Sequence, residues 1–271
     1  MKKLFYAVAV FLVLYTVSKS MGFLAAMALV ALMIAAICYV KRAVLITQSA
    51  NQQYFVKGNT EKAKKLYEKA YKTGEMNASC KLAYSSFCLR ENLFEKGKRL
   101  LTEIINSKNS SEENKLNAQH NLSVLVWKEG NLDEAITLLE DVHKKLPATN
   151  TYGTLGVLYL ERAKREGDFE KELPFMLEAY DYNDSDKTIA DNLGELYRYM
   201  GEFEKAKEVY DELLKVQQTS PMPYYNYGLV LKGMGDIEGA RENFEKALDC
   251  RFTSVIVITR EMVEKELSEL C

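Results

Sequence analysis

Two histidines, His120 and His143, and five cysteines, Cys38, Cys80, Cys88, Cys250 and Cys271, are the side chains of this 271-residue chain best suited to metal or nucleophilic chemistry, and their spacing suits neither. The histidines fall on separate predicted helices, and the cysteines are odd in number with no C-x-x-C pair. Free thiols in a reducing compartment are expected rather than a disulfide framework or a zinc knuckle, and Cys271 has no residues after it to form a prenylation box. No H-E-x-x-H, G-x-S-x-G or Walker loop occurs, so the metallohydrolase, serine hydrolase and nucleotide hydrolase classes lose their carriers. Gly233-Met234-Gly235-Asp236-Ile237-Glu238-Gly239 imitates a dinucleotide turn, yet it stands in register with Gly130 and Gly201 and no second half follows. Asp181 to Asp186 offers oxygens in a calcium-loop pattern, but Asp186 replaces the required glycine and Asn192 the closing glutamate. Both stretches read as turns between helices; neither an enzyme nor a cofactor or metal site is expected.

The elements around these residues begin with two apolar runs. Leu4 to Val17 and Gly22 to Val40 carry no charge, and only Ser18-Lys19-Ser20-Met21 separates them. The second run is about 28 Å long as a helix against a hydrocarbon core of roughly 30 Å, whereas the first reaches about 21 Å. A transmembrane hairpin over residues 1–42 is expected, with spans at 4–17 and 22–40. Lys2 and Lys3 before the first span and Lys41-Arg42 after the second place both ends on the cytoplasmic side. The rival reading of residues 1–20 as a signal peptide also leaves the body cytoplasmic. Small residues such as Gly22, Ala25, Ala28 and Ala35 let another helix approach the second span, either the first span or a second copy of the chain. Of 36 basic residues, the five in the first 42 positions leave 31 against 38 acidic ones, a net −7 that argues against nucleic-acid binding.

The body repeats. Gly58-Asn59-Thr60-Glu61-Lys62-Ala63 returns as Gly130-Asn131-Leu132-Asp133-Glu134-Ala135, Gly201-Glu202-Phe203-Glu204-Lys205-Ala206 and Gly235-Asp236-Ile237-Glu238-Gly239-Ala240, with Asn92 to Gly97 a degenerate copy. Ala63 to Gly97 and Ala206 to Ala240 are both 34 residues. Small or polar residues, Asn51, Ser85, Ser123, Gly194 and Gly228, precede each anchor by 12 positions, and Tyr67, Leu101, Leu139, Tyr210 and Phe244 follow it by four. Each unit is therefore two helices with small residues set against large ones, and units must stack to cover their apolar flanks. Thr253 to Leu270 has apolar residues at helical spacing and a charged side, as a terminal cap requires. Nothing breaks helices between Gly22 and Gly58, which predicts one helix running from the bilayer into the first unit.

Leu155-Gly156 with Tyr159, Leu193-Gly194 with Tyr197, Gly201, Ala206 and Tyr210, and Pro147 at the close of the third unit resemble the tetratricopeptide repeat family. The resemblance covers about residues 44–252 in six units and implies an all-α, right-handed α-solenoid, with residues 253–271 as a capping helix. It departs from the pattern at Gly97, at Glu172, and at two four-residue excesses, Glu161 to Glu166 and near Asn109 to Glu113. By the same resemblance the concave groove carries Asn121, Val124 and Trp127 in repeat three, Asn192, Glu195 and Tyr199 in repeat five, and Tyr225 and Asn226 in repeat six. Asn121, Asn192 and Asn226 share one repeat position, whose family role includes hydrogen bonding to a peptide backbone. Trp127 serves either as a ligand anchor or as lateral packing, and Gln48 and Gln52 stand where a chaperone-tail clamp would want Lys and Asn. The expectation is a membrane-anchored scaffold that binds a protein or peptide segment at the cytoplasmic face, with a receptor for a small peptide signal as the alternative.

Overall fold

The computed structural model describes residues 22–252 and 257–270, together with Thr16 and Lys19. The expected first span, residues 4–17, lies outside the described residues apart from Thr16. Among the described residues there is no strand, and the chain divides into two compact units, residues 1–84 and 85–271.

The first unit opens with α1 (Phe23–Val40) and α2 (Arg42–Asn51), continues through a π-helical turn (Gln52–Val56) into α3 (Thr60–Lys72), and ends within α4 (Ala78–Arg90). The expected continuous helix from Gly22 to Gly58 is not formed. Among the described residues no single helix is long and apolar enough to cross a membrane; Met27–Val40 and Arg42–Val56 meet that condition only together, as a pair bent by 68°. The break is at Lys41, whose backbone leaves the helical region at φ −96° and ψ 9°. Polar contacts account for it: the Arg42 guanidinium stacks over the Tyr39 ring at 4.1 Å and pairs with Glu75 at 2.6 Å. An ion pair reaching 33 residues ahead holds α2 to the α3–α4 turn instead of letting it extend α1. Tyr67, fully buried, stacks on Tyr84 with ring centroids 4.9 Å apart and donates to Asn51.

The second unit carries the rest of α4, then α5 (Phe94–Ile105), α6 (Glu112–Lys128), α7 (Leu132–Lys145), α8 (Thr149–Glu166), a 3₁₀ turn (Glu170–Glu172) into α9 (Leu173–Tyr182), α10 (Lys187–Tyr199), α11 (Phe203–Leu213), α12 (Pro221–Met234), α13 (Ile237–Leu248) and α14 (Arg260–Ser268). The helices pair in sequence, and the first members α8, α10 and α12 also pack on one another. Turns between partners need a left-handed residue, which Gly130, Gly167, Gly201 and Gly235 supply; Asn92, with φ 56°, takes that place where the repeat lacks its glycine.

Small residues inside the first helices let the second helices close in. A Cβ on Gly194 would sit 2.7 Å from the Tyr210 ring, and one on Gly228 2.5 Å from Phe244. Gly97 replaces alanine for the same reason, since a Cβ there would stand 3.1 Å from Leu125. The two four-residue excesses lengthen helices: α6 and α8 have 17 and 18 residues against 13 in α10. The extra turn of α8 explains Glu172 at the anchor position. Arg162 donates from Nε and Nη2 to Glu172 at 3.0 and 2.9 Å, a forked pair in which the carboxylate is almost wholly buried. The terminal helix is shorter than expected. It starts at Arg260, where Thr259 Oγ1 accepts from the Met262 amide at 3.3 Å, and Val263 is its buried contact with the α12–α13 core.

Candidate partner-binding face

The side chains expected to bind a partner fall into two groups. Asn192, Glu195, Tyr199, Tyr225 and Asn226 come together on α10 and α12, whereas Asn121, Val124 and Trp127 stand apart on α6. On α6, Val124 is buried and Trp127 packs against the core of the third helix pair with Lys128 Nζ 4.3 Å over its ring. The lateral-packing reading of Trp127 is the one this geometry favours. Asn121 Oδ1 lies 3.3 Å from His120 Nδ1, while His120 Nε2 lies 3.0 Å from Thr154 Oγ1, tying α6 to α8. Burial lowers the basicity of His120.

In two of its three occurrences the shared asparagine position is used internally, Asn121 being half-buried instead. Asn192 donates to the Gly153 carbonyl at 2.8 Å, and Asn226 donates to Asp191 Oδ1 at 3.1 Å; both are buried. Each asparagine thus reaches back one repeat and joins neighbouring first helices. Neither amide points outward to a peptide backbone, because buried polar groups must be satisfied within the stack before any partner arrives.

Around Asn226 lies a polar cluster. Tyr210 donates to Asp191 Oδ1 at 3.0 Å and to its carbonyl at 3.2 Å. Lys164 pairs with Glu161 and with Glu195, each at 2.9 Å, and Arg198 Nη2 stands 3.8 Å from Glu195. Burial, reinforced by the nearby Glu195 carboxylate, pushes Asp191 up to about 7. Burial alone would lower Lys164, but Glu195 and Glu161 outweigh it and hold its ammonium above the ordinary lysine value. At the edge of this network the exposed Tyr199 ring stacks on Phe169 with centroids 4.7 Å apart and carries the Arg198 guanidinium at 4.0 Å on its face. Tyr225 is buried against Phe244, and Lys232, two turns further along α12, pairs with Glu266 at 2.7 Å on α14 and with Glu269 at 3.0 Å at its C-terminal end.

Sequence reasoning passed over Lys164 and the Arg162–Glu172 pair. Lys164 lies inside the four-residue excess at Glu161 to Glu166, where the 34-residue register is interrupted, so spacing does not single it out. Among the described residues, no three His, Cys, Asp or Glu side chains are placed to hold a metal ion.

Residues 188–251 match the tetratricopeptide repeat family model. No curated protein matches the chain in sequence. Among solved structures, a tetratricopeptide repeat protein from Parabacteroides merdae is similar with a TM-score of 0.65 at 15% identity, covering 97% of each chain. A thermophilic tetratricopeptide repeat protein of Thermus thermophilus is similar with a TM-score of 0.58 at 15% identity, covering 72% of this chain and 98% of that one. Likeness at this identity is one of fold. The family match and the two shared folds support a tetratricopeptide repeat architecture, and such repeats generally mediate protein–protein contacts as non-enzymatic scaffolds.

Proposed function

We propose that this chain is a membrane-anchored scaffold whose repeats bind a protein or peptide segment on the face formed by α8, α10 and α12, at the cytoplasmic side of the bilayer. The observation that carries the binding role is the juxtaposition of an exposed aromatic ring, Tyr199, with the cationic groups Lys164 and Arg198 on packed first helices. A ring stacked on Phe169 and flanked by cations offers apolar area and directional charge at small entropic cost, which is what a segment-binding surface needs.

Anchoring is supported by α1. Leu24, Leu32, Ile34, Ile37 and Val40 are 83%, 69%, 56%, 61% and 72% exposed along that helix. Leaving such side chains in water forgoes roughly 1.5–3 kcal/mol each, a deficit that lipid removes. The cytoplasmic assignment rests on Lys41 and Arg42 directly after α1.

A photo-crosslinking residue placed at Tyr199, on the proposed face, and at Glu208, on the exposed side of α11, tests the binding role in intact membranes. A protein adduct formed from position 199 and absent from position 208 supports it; equal labelling from both overturns it.

A further inference from the structure

We infer that the outward side of the segment from Lys41 to Lys57 lies in the headgroup zone of an anionic bilayer, beside the point where α1 enters. This rests on the anchoring reading above and deepens it.

The bend gives the geometry. A segment leaving α1 at 68° lies about 22° from the bilayer plane when α1 stands along the normal, and a helix tilt of about 20° brings it into that plane. The segment is two-sided. Ala43, Thr47, Ala50 and Tyr54 are buried, and α2 packs against α3. On the other side Leu45, Phe55 and Val56 are 46%, 56% and 76% exposed, with Gln48 and Gln52 between them. The π-helical winding of the last turn presents Phe55 and Val56 next to each other on this open side.

Charge selects the occupant. Lys41 and Lys57 bracket the segment, Arg42 being paired with Glu75, and no acidic residue occurs from 41 to 57. Apolar side chains flanked by lysine at both ends, in a unit whose residues 43–84 carry seven lysines against three glutamates, match the interfacial zone of a membrane carrying anionic lipid, where each basic residue near the surface is attracted and the apolar side sinks to the acyl boundary.

Tryptophan quenching in the full chain tests this, because Trp127 is its only tryptophan. Leu32→Trp, Phe55→Trp and Val56→Trp are made singly in a Trp127→Phe background and reconstituted into phosphatidylcholine–phosphatidylglycerol vesicles. The lipids are brominated either near the headgroup or deep in the acyl chain. If Trp127→Phe unfolds by circular dichroism, the same substitutions are read as added signal over native Trp127. The expected result is loss of Leu32→Trp emission with deep bromines, and loss with a blue shift for Phe55→Trp and Val56→Trp with shallow ones.

Quenching of Leu32→Trp with the other two emitting as in buffer overturns the inference and leaves the anchor standing. No quenching at Leu32→Trp overturns both. A blue shift of Phe55→Trp without quenching by either lipid shows that protein, such as a second copy, covers this side, and it also overturns the inference.

Discussion

Asn192 donates its side-chain amide to the carbonyl oxygen of Gly153 at 2.8 Å, across the seam between α8 and α10. The contact depends on the absence of a methyl group, because a Cβ on Gly156 would stand 2.3 Å from Asn192 Nδ2 and 3.3 Å from Met176 Sδ. Two positions in different repeats therefore share one small volume.

Gly156→Ala is expected to destabilise the protein by about 1–3 kcal/mol through overpacking, and Asn192→Ala by about 1–2 kcal/mol through the lost hydrogen bond. The double variant should lose less than the sum, since both changes act on one contact. Urea unfolding of the three variants measures this; strict additivity would contradict it.

Asp191 makes stability depend on pH. Its carboxyl is raised to about 7 by burial and then by Glu195, against about 3.9 in the unfolded chain. Between those values the folded state binds more protons than the unfolded one, so stability declines as pH rises from about 4 to 7. Asp191→Asn keeps an oxygen for Tyr210 and Asn226. It should flatten that decline and raise stability above pH 7 by about 1–3 kcal/mol. Denaturant titrations on either side of neutrality decide the matter, and an unchanged slope would refute it.

Arg162→Ala should cost about 3–5 kcal/mol by stranding the buried Glu172 carboxylate. Glu172→Ala should cost less, because Arg162 is 18% exposed and able to turn toward water. Arg162→Leu combined with Glu172→Ala restores alanine at the anchor and should recover most of the loss. Thermal melting that ranks the double variant below Arg162→Ala would sink this account.

Lys232→Ala removes both ion pairs that tie α12 to α14. Partly exposed pairs contribute no more than about 1 kcal/mol each, so α14 should stay folded on Val263 while its amides exchange several-fold faster. Hydrogen exchange across residues 260–268 reads the effect, with α10 as the unaffected reference.

Much of this architecture is legible in the sequence because its signals are local. A turn glycine, an anchor alanine and a large residue four positions later each declare a helix pair, and even Asn92 standing in for glycine is readable once the register is known. What escaped reading depends on contacts far along the chain. Nothing near Lys41 announces the bend, since the arginine–glutamate pair that holds it spans 33 residues. The late start of α14 turns on Thr259 capping rather than on apolar spacing, which continues upstream to Val255. The shared asparagines were recognisable as a set, but a side chain facing the neighbouring repeat and one facing a ligand have the same spacing; only burial separates them.

The forked pair between Arg162 and Glu172 also has a historical consequence. Only the acid is harmful alone, because the arginine is able to reach water and the buried carboxylate is not. A lineage losing this pair should therefore give up the acid first. An acid at the second position would then foretell a basic side chain at the first, whereas the reverse need not hold.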